Sequence, residues 1–361
     1  MESEIISALR TYIGFRSIAG NASQKQACLA WIQQEFLCGF PYTPTYGSCN
    51  ECPYLLLEHP EAQWLWFAHC DVVPAAESQF SVTRDGDTLR GRGVKDMKGA
   101  ALPFLLAYRD ACRKGNVPKV SILLSTDEEI GGKTIPTLIE QGLRTDIAFT
   151  PDTGSAVGIV VEHKGAVWAE LRSEGSSGHG AMPWTAKNPL FVLAEALSHI
   201  EKKYPPGTKD DWRITISPTI LQGGDAQNRI PQSATAILDI RYPPDDFAGV
   251  PDVLKDITKN LPEGSALTVK ESANPLRTDR NHPFIRRYSS IVTTIEGSEP
   301  SFIREHGATD ARHFCAAGIP AFLYGPRGGG LHGSDEWVSL SSLVDHYRIY
   351  EQLFTSSDSR E

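Results

Sequence analysis

Apolar residues recur at helical spacing over residues 4–13, and again over 23–36 after Gly20-Asn-Ala-Ser. A period near 3.6 predicts two helices there. Residues 54–58 and 64–68 are short apolar runs joined by a turn around His59-Pro-Glu-Ala, which predicts two strands. Residues 100–112 are apolar nearly all round, as a buried helix is. The ring of Pro103 is tolerated only in a first turn, where its missing N–H is not needed. The run 120–126 reads as a strand ending at Asp127-Glu128-Glu129; Gly-Gly follows, then a helical stretch over 135–141. Residues 147–150 form another apolar run, ending at Pro151-Asp152. Strands alternating with helices predict an α/β fold, a mostly parallel sheet with flanking helices that bury both its faces.

Between residues 165 and 274 the rhythm changes. Residues 167–172 alternate as a half-exposed strand does, 190–200 have helical spacing, 214–221 and 234–242 read as strands, 254–261 as a helix and 266–270 as a last strand. The order β-α-β-β-α-β is that of a ferredoxin-like α+β motif. It divides the chain into one domain over 1–164 and 275–361 and an inserted one over 165–274. After residue 275 a helix is expected over 284–295, a turn over 305–312, a strand over 321–324 and a final helix over 341–353, with 356–361 as a frayed tail. No internal repeat interrupts this pattern.

The 361 residues exceed one typical domain, which agrees with that division. A net charge of −9 with no basic stripe excludes a nucleic-acid-binding face, which needs clustered Lys and Arg. The start, Met1-Glu-Ser-Glu, lacks the pattern of a signal peptide, and no apolar run reaches membrane-spanning length, so the expected location is cytoplasmic and away from the membrane. Seven scattered cysteines fit reduced thiols. Cys49-Asn-Glu-Cys52 has zinc-knuckle spacing, but no second pair matches it, and it reads as structural.

The chemistry gathers at strand ends. His69, Glu128-Glu129 and Asp152 each follow a predicted strand, and His332 follows one through a glycine-rich loop. In open α/β sheets, sites form beyond the carboxyl ends of strands. Imidazole and carboxylate are ordinary zinc ligands. Two histidines and three carboxylates serve two metals if one carboxylate is shared. Asp71 is placed to accept the other ring N–H of His69. Adjacent side chains of Glu128 and Glu129 diverge, so one can bind metal while the other acts as a general base.

His69-Cys-Asp71-Val-Val-Pro, Gly91-Arg-Gly-Val-Lys-Asp96-Met-Lys-Gly, Thr126-Asp-Glu128-Glu129-Ile-Gly-Gly, Ser177-Gly-His179-Gly-Ala-Met-Pro and Gly329-Gly-Leu-His332-Gly-Ser-Asp-Glu336 resemble, in order and over nearly the whole chain, the motifs of one family. It is the dizinc metallopeptidase and deacylase family of succinyl-diaminopimelate desuccinylase, acetylornithine deacetylase, aminoacylase, carnosinase and tripeptidase. The resemblance implies a zinc exopeptidase-like fold with two zinc ions per chain, for which cobalt or manganese can substitute. His69 and Asp152 would bind one ion, Glu129 and His332 the other, and Asp96 would bridge them. Glu128 would deprotonate the bridging water, Asp71 would orient His69, and the Asp96-Met97 peptide would be cis. The inserted segment resembles a lid and dimerisation domain. Its His179 would stabilise the oxyanion, in many members in the partner subunit's site. Asn228, Arg241, Arg312 and Gly329 match positions that contact substrate.

These features imply a zinc-dependent hydrolase cleaving an amide bond of a small peptide or an N-acyl amino acid. Aspartate at position 152 matches the dipeptidase and aminopeptidase branch; a deacylase of the acetylornithine or succinyl-diaminopimelate type is the alternative. A non-catalytic binding relative and a single-metal hydrolase are further alternatives. A homodimer paired through the edge strands of the two lids is expected, as is domain closure around substrate. The remaining histidines have no motif; His306 and His313 flank the Asp310-Ala-Arg312 turn.

Overall fold

The computed structural model describes residues 1–38, 41–154 and 157–355. The tail read as frayed, 356–361, lies outside the described residues. The chain divides into two compact units. One comprises Met1–Glu162, Arg277–Glu305 and the chain from Thr309 onward; the other comprises His163–Leu276 with His306–Ala308.

The main, nine-stranded sheet runs in the order Thr45–Cys49, Cys52–Leu57, Val120–Ser125, Trp64–His69, Ile147–Thr150, Ala321–Leu323, Ile159–His163 and Leu276–Arg277, with Phe302–Glu305 also pairing with Ile159–His163. The sheet is mixed. Val120–Ser125, Trp64–His69, Ile147–Thr150 and Ala321–Leu323 pair in parallel at its centre, and antiparallel strands flank them. Every residue of Trp64–His69 is buried, because helices cover both faces of the central strands. Trp66 and Phe104 stack with ring centroids 3.9 Å apart, locking that strand to the helix Lys98–Arg113. The two runs expected as strands on either side of His59 are both strands, but they are not neighbours. Val120–Ser125 lies between them, since a long-range parallel pairing places two buried strands side by side.

The helix Lys98–Arg113 corrects one expectation. Pro103 lies in its second turn, so the carbonyl of Gly99 loses its usual helical donor. The cysteines of Cys49-Asn-Glu-Cys52 face each other across a two-residue hairpin, with Asn50 and Glu51 both at positive φ, and carry free thiols.

A second sheet of the larger unit escaped the sequence reading. Gly328–Gly329, Trp337–Ser339, Thr88–Arg90 and Thr83–Asp85 pair in that order. It ties the segment before Asp96 to the segment around His332.

The smaller unit has the ferredoxin-like arrangement. Its strands Gly165–Glu174, Thr215–Gly223, Ser233–Tyr242 and Ser265–Ala273 form one antiparallel sheet, with Gly165–Glu174 and Ser233–Tyr242 central. Ser233–Tyr242 alternates buried and half-buried residues, as a sheet covered on one face must. Leu193, Ala196 and Ile200 of the helix Pro189–Lys203, with Val250 and Ile257 of Val250–Lys259, form its core with the sheet. Pro189 at the first helical position and the Asn188 side chain, accepting from the Leu190 N–H, start the first of these helices.

His346, on the terminal helix Leu340–Thr355, is buried and stacked on Tyr324. Its Nδ1 lies 2.9 Å from the Ser342 carbonyl. Burial, with Lys95 and Arg327 adding like charge, pushes its pKa down to about 4. In the unfolded chain this imidazole takes a proton near pH 6.5, so between about pH 6.5 and 4 the unfolded state binds more protons and folding stability falls with pH. Urea unfolding at pH 7 and pH 5 should show a loss to which His346 contributes about 2 kcal/mol. His346→Phe should flatten that slope; an unchanged slope would assign the loss to other groups.

Candidate metal centre

The four parallel strands end on one edge of the sheet, and the candidate ligands stand there. His69 closes the strand Trp64–His69, Glu128 and Glu129 open a 3₁₀ turn just past Val120–Ser125, and Asp152 follows Ile147–Thr150. Gly131 and Gly132, both at positive φ, turn the chain away after Glu129. His332 arrives by a loop in which it adopts φ +62°, a left-handed conformation uncommon outside glycine.

Asp96 lies between the two imidazoles. Its Oδ1 is 3.1 Å from His69 Nε2 and its Oδ2 is 3.1 Å from His332 Nε2. Glu129 Oε2 lies 3.2 Å from the same His332 nitrogen. Donor atoms of His69, Asp96 and Asp152 fall within 4.8 Å of one another, as do those of Asp96, Glu129 and His332. His69 Nδ1 is 3.1 Å from the carbonyl oxygen of Asp71, to which it donates. That turns Nε2 toward the Asp96 carboxylate oxygen, a pairing that a cation between them, a proton or a metal ion, satisfies. Ligand atoms around a tetrahedral zinc lie about 3.3 Å apart, given bonds of about 2.0 Å. The donor set and its spacing therefore fit zinc or a similar divalent ion.

The charges behave as those of a ligand cluster. Burial opposes protonation of His69, but its bonds to Asp71 and Asp96 prevail and hold its pKa well above the usual value. Burial would raise Asp96, yet the bonds from His332 and His69 hold it well below the ordinary carboxylate range. Burial, reinforced by Asp152, Asp310 and Asp96, pushes Glu128 well up. Burial, with Asp96 and Glu305, raises Asp152 to about 7. Bonds to Asp96 and Glu129 raise His332 to about 10.

Asp71 meets the His69 ring with its backbone as well as its side chain. The nearer partner of the His69 ring is its backbone carbonyl; carboxylate Oδ1 stands 3.5 Å away, and Oδ2 accepts the N–H of Glu129 at 3.0 Å. One side chain thus touches both ligand-bearing loops. The Asp96-Met97 peptide is cis.

His69, Asp71, Asp96, Glu128, Glu129, Asp152 and His332 therefore come together. Gly329 and Arg312 share their unit but are held otherwise. Gly329 is buried opposite Trp337 in the small sheet, and Arg312 is buried with Nη2 3.4 Å from the Gly131 carbonyl. In the smaller unit His179 pairs with Arg229 in a short ladder, and the Asn228 carbonyl accepts the Gly180 N–H at 2.7 Å. Arg241 makes a two-point ion pair with Asp239 and lies over the Trp168 ring. His313 Nε2 is 3.5 Å from Asp310, and His306 bonds the Lys209 carbonyl.

Sequence reasoning passed over Lys95, Arg92 and Glu336. Lys95 is buried, donates to the carbonyl and hydroxyl of Thr153 at 2.6 and 2.9 Å, and sets a cation beside Asp96 and Asp152. Charged residues inside a glycine-rich segment gave no periodic signal of burial.

A cluster of imidazoles and carboxylates sharing one aspartate, at the carboxyl ends of parallel strands, is the kind of site a metallohydrolase has. Residues 65–356 match the model of peptidase family M20/M25/M40. Succinyl-diaminopimelate desuccinylase of Acidiphilium cryptum (strain JF-5) is 30% identical over 79% of this chain and 80% of its own length. A tripeptidase of Staphylococcus aureus subsp. aureus Mu50 superposes with a TM-score of 0.81 at 17% identity, over 98% of this chain and 99% of that one. An M20 family metallo-carboxypeptidase of Sulfolobus solfataricus does so at 0.79 and 20% identity, over 97% and 98%. The chain belongs to peptidase family M20/M25/M40 and is a metal-dependent hydrolase of amide bonds.

Asp71→Asn tests the link between its loops. An amide must turn its NH₂ either toward the His69 ring N–H or toward the Glu129 N–H, so a donor faces a donor. Zinc affinity, read by competition with a chromogenic chelator, should fall about 10- to 100-fold; unchanged affinity would remove Asp71 from the site's support.

Proposed function

We propose that this chain is a dizinc hydrolase of small peptides or N-acyl amino acids, in which His69, Asp96 and Asp152 hold one ion and Asp96, Glu129 and His332 the other. The observation that carries this reading is the Asp96 carboxylate, which offers one oxygen toward each imidazole at 3.1 Å. When bound, two such ions polarise the scissile carbonyl and lower the pKa of water. Glu128, which sits beside the ligands without being in either group, takes the proton from the attacking water and returns it to the leaving amine. Asp71 keeps the His69 ring in the tautomer that frees Nε2 for metal. His179 accepts the Ala181 N–H at Nδ1, which leaves Nε2–H to donate to a carbonyl oxygen as negative charge develops. Arg312, Gly329, Asn228 and Arg241 are assigned to substrate contact on the family resemblance.

The likeness to succinyl-diaminopimelate desuccinylase supports a second reading, an N-acyl amino acid deacylase. Asp152, by resemblance to the dipeptidase branch, favours the peptide reading. We also infer a cytoplasmic setting, where the free thiols among the described residues stay reduced.

The smaller unit is assigned the lid and dimer-forming role. Its edge strand Thr215–Gly223 exposes Ile220 and Leu221, and the neighbouring helix exposes Phe191. An open apolar edge of this kind suits pairing with a second copy.

Chelation should abolish hydrolysis on a panel of dipeptides, N-acetyl and N-succinyl amino acids, and zinc or cobalt should restore it. Glu128→Gln should keep two ions by elemental analysis while kcat falls about 10²- to 10⁴-fold; undiminished turnover would sink Glu128 as the base. In sedimentation, the wild-type chain should run as a dimer and Leu221→Glu as a monomer, whereas a monomeric wild type would exclude the proposed pairing.

A further inference from the structure

Glu336 is fully buried, and its carboxylate is saturated with hydrogen bonds. Oε1 accepts the backbone N–H groups of Gly93, Lys95 and Asp96 at 3.0, 2.9 and 3.0 Å. Oε2 accepts a second approach of the Gly93 N–H at 2.9 Å and Arg92 Nη1 at 2.7 Å. Successive N–H groups converging on one point form an anion nest. Gly93, at φ +87°, gives this loop the turn that nest needs, and a Cβ there would meet Val72 Cγ1 at 2.9 Å.

Arg92 carries the contact onward. Its Nη2 donates to the carbonyl oxygens of His332 and Gly333 at 3.0 and 2.9 Å. The two chain segments so joined are the ones that deliver Asp96 and His332. The bonded groups include the N–H of Asp96 itself and the C=O of His332 itself.

We propose that Glu336 and Arg92 are positioning residues that fix the separation of Asp96 and His332 and so set the affinity of the metal centre. This rests on the metal reading of the site. A buried ion pair is costly unless hydrogen bonds offset its desolvation, and here, with only Arg92 Nε left without a partner in the pair, those bonds are spent on the two ligand loops. An amide cannot replace the carboxylate. Its NH₂ would face either three backbone N–H groups or the Arg92 guanidinium and the Gly93 N–H. A lysine at position 92 keeps the charge but offers one nitrogen where the guanidinium reaches Glu336 and two carbonyls with separate atoms.

The test is zinc titration of metal-stripped wild type, Glu336→Gln and Arg92→Lys against a competing chelator, with thermal midpoints measured before and after zinc addition. Glu336→Gln should bind both ions at least tenfold more weakly. Arg92→Lys should weaken the ion of Asp96, Glu129 and His332 tenfold and spare that of His69, Asp96 and Asp152. The zinc-induced rise in midpoint should shrink in both variants, because binding to the native state alone sets that rise. A purely structural role would lower the stripped and loaded midpoints equally and leave affinity unchanged, which would overturn the proposal while the metal reading stands. A wild type that binds no zinc would overturn the metal reading and the proposal with it. Should Glu336→Gln lose its native dichroism, Arg92→Lys decides by the same two readings.

Discussion

The larger unit is organised around one carboxylate between two imidazoles. Asp96 sits 3.1 Å from His69 on one oxygen and 3.1 Å from His332 on the other. The carboxylates gathered around it repel one another in a buried setting, and the cluster persists because each member is fixed by a different part of the fold. His69 is held by a strand buried on both faces. Asp96 is held through its own N–H by Glu336, and Glu129 through its N–H by Asp71. In both cases a buried side chain grips the ligand residue by its backbone.

This division of labour explains what could be read from the sequence. His69, Glu128, Glu129 and Asp152 were legible because each follows a run of apolar residues long enough to announce a central strand, and parallel strands end on a common edge. The ferredoxin-like unit was legible because Ser233–Tyr242 alternates strictly and the helices beside it carry clear apolar stripes.

Other features lay beyond local pattern. The position of Val120–Ser125 between two strands that adjoin in sequence depends on long-range pairing. Strands as short as Gly328–Gly329 and Trp337–Ser339 have no period to detect. Glu336 stood in a recognised motif, but its partners are backbone N–H groups, which every residue but proline has and no motif distinguishes. Pro103 sits deeper in its helix than propensity allows, in a segment where every residue around it is buried and packing overrides the local penalty.

The small sheet and the Glu336 carboxylate also impose an order of events in time. Asp96 and its anchor are 240 positions apart along the chain. During synthesis, the strands carrying His69, Glu128 and Asp152 emerge early and can pair with one another, while the loop at Gly93–Asp96 has nothing to close on. Closing a loop over such a separation costs more entropy than pairing strands that lie near one another in sequence. The candidate ligand set is therefore complete only once the C-terminal segment that carries His332 and Glu336 has docked.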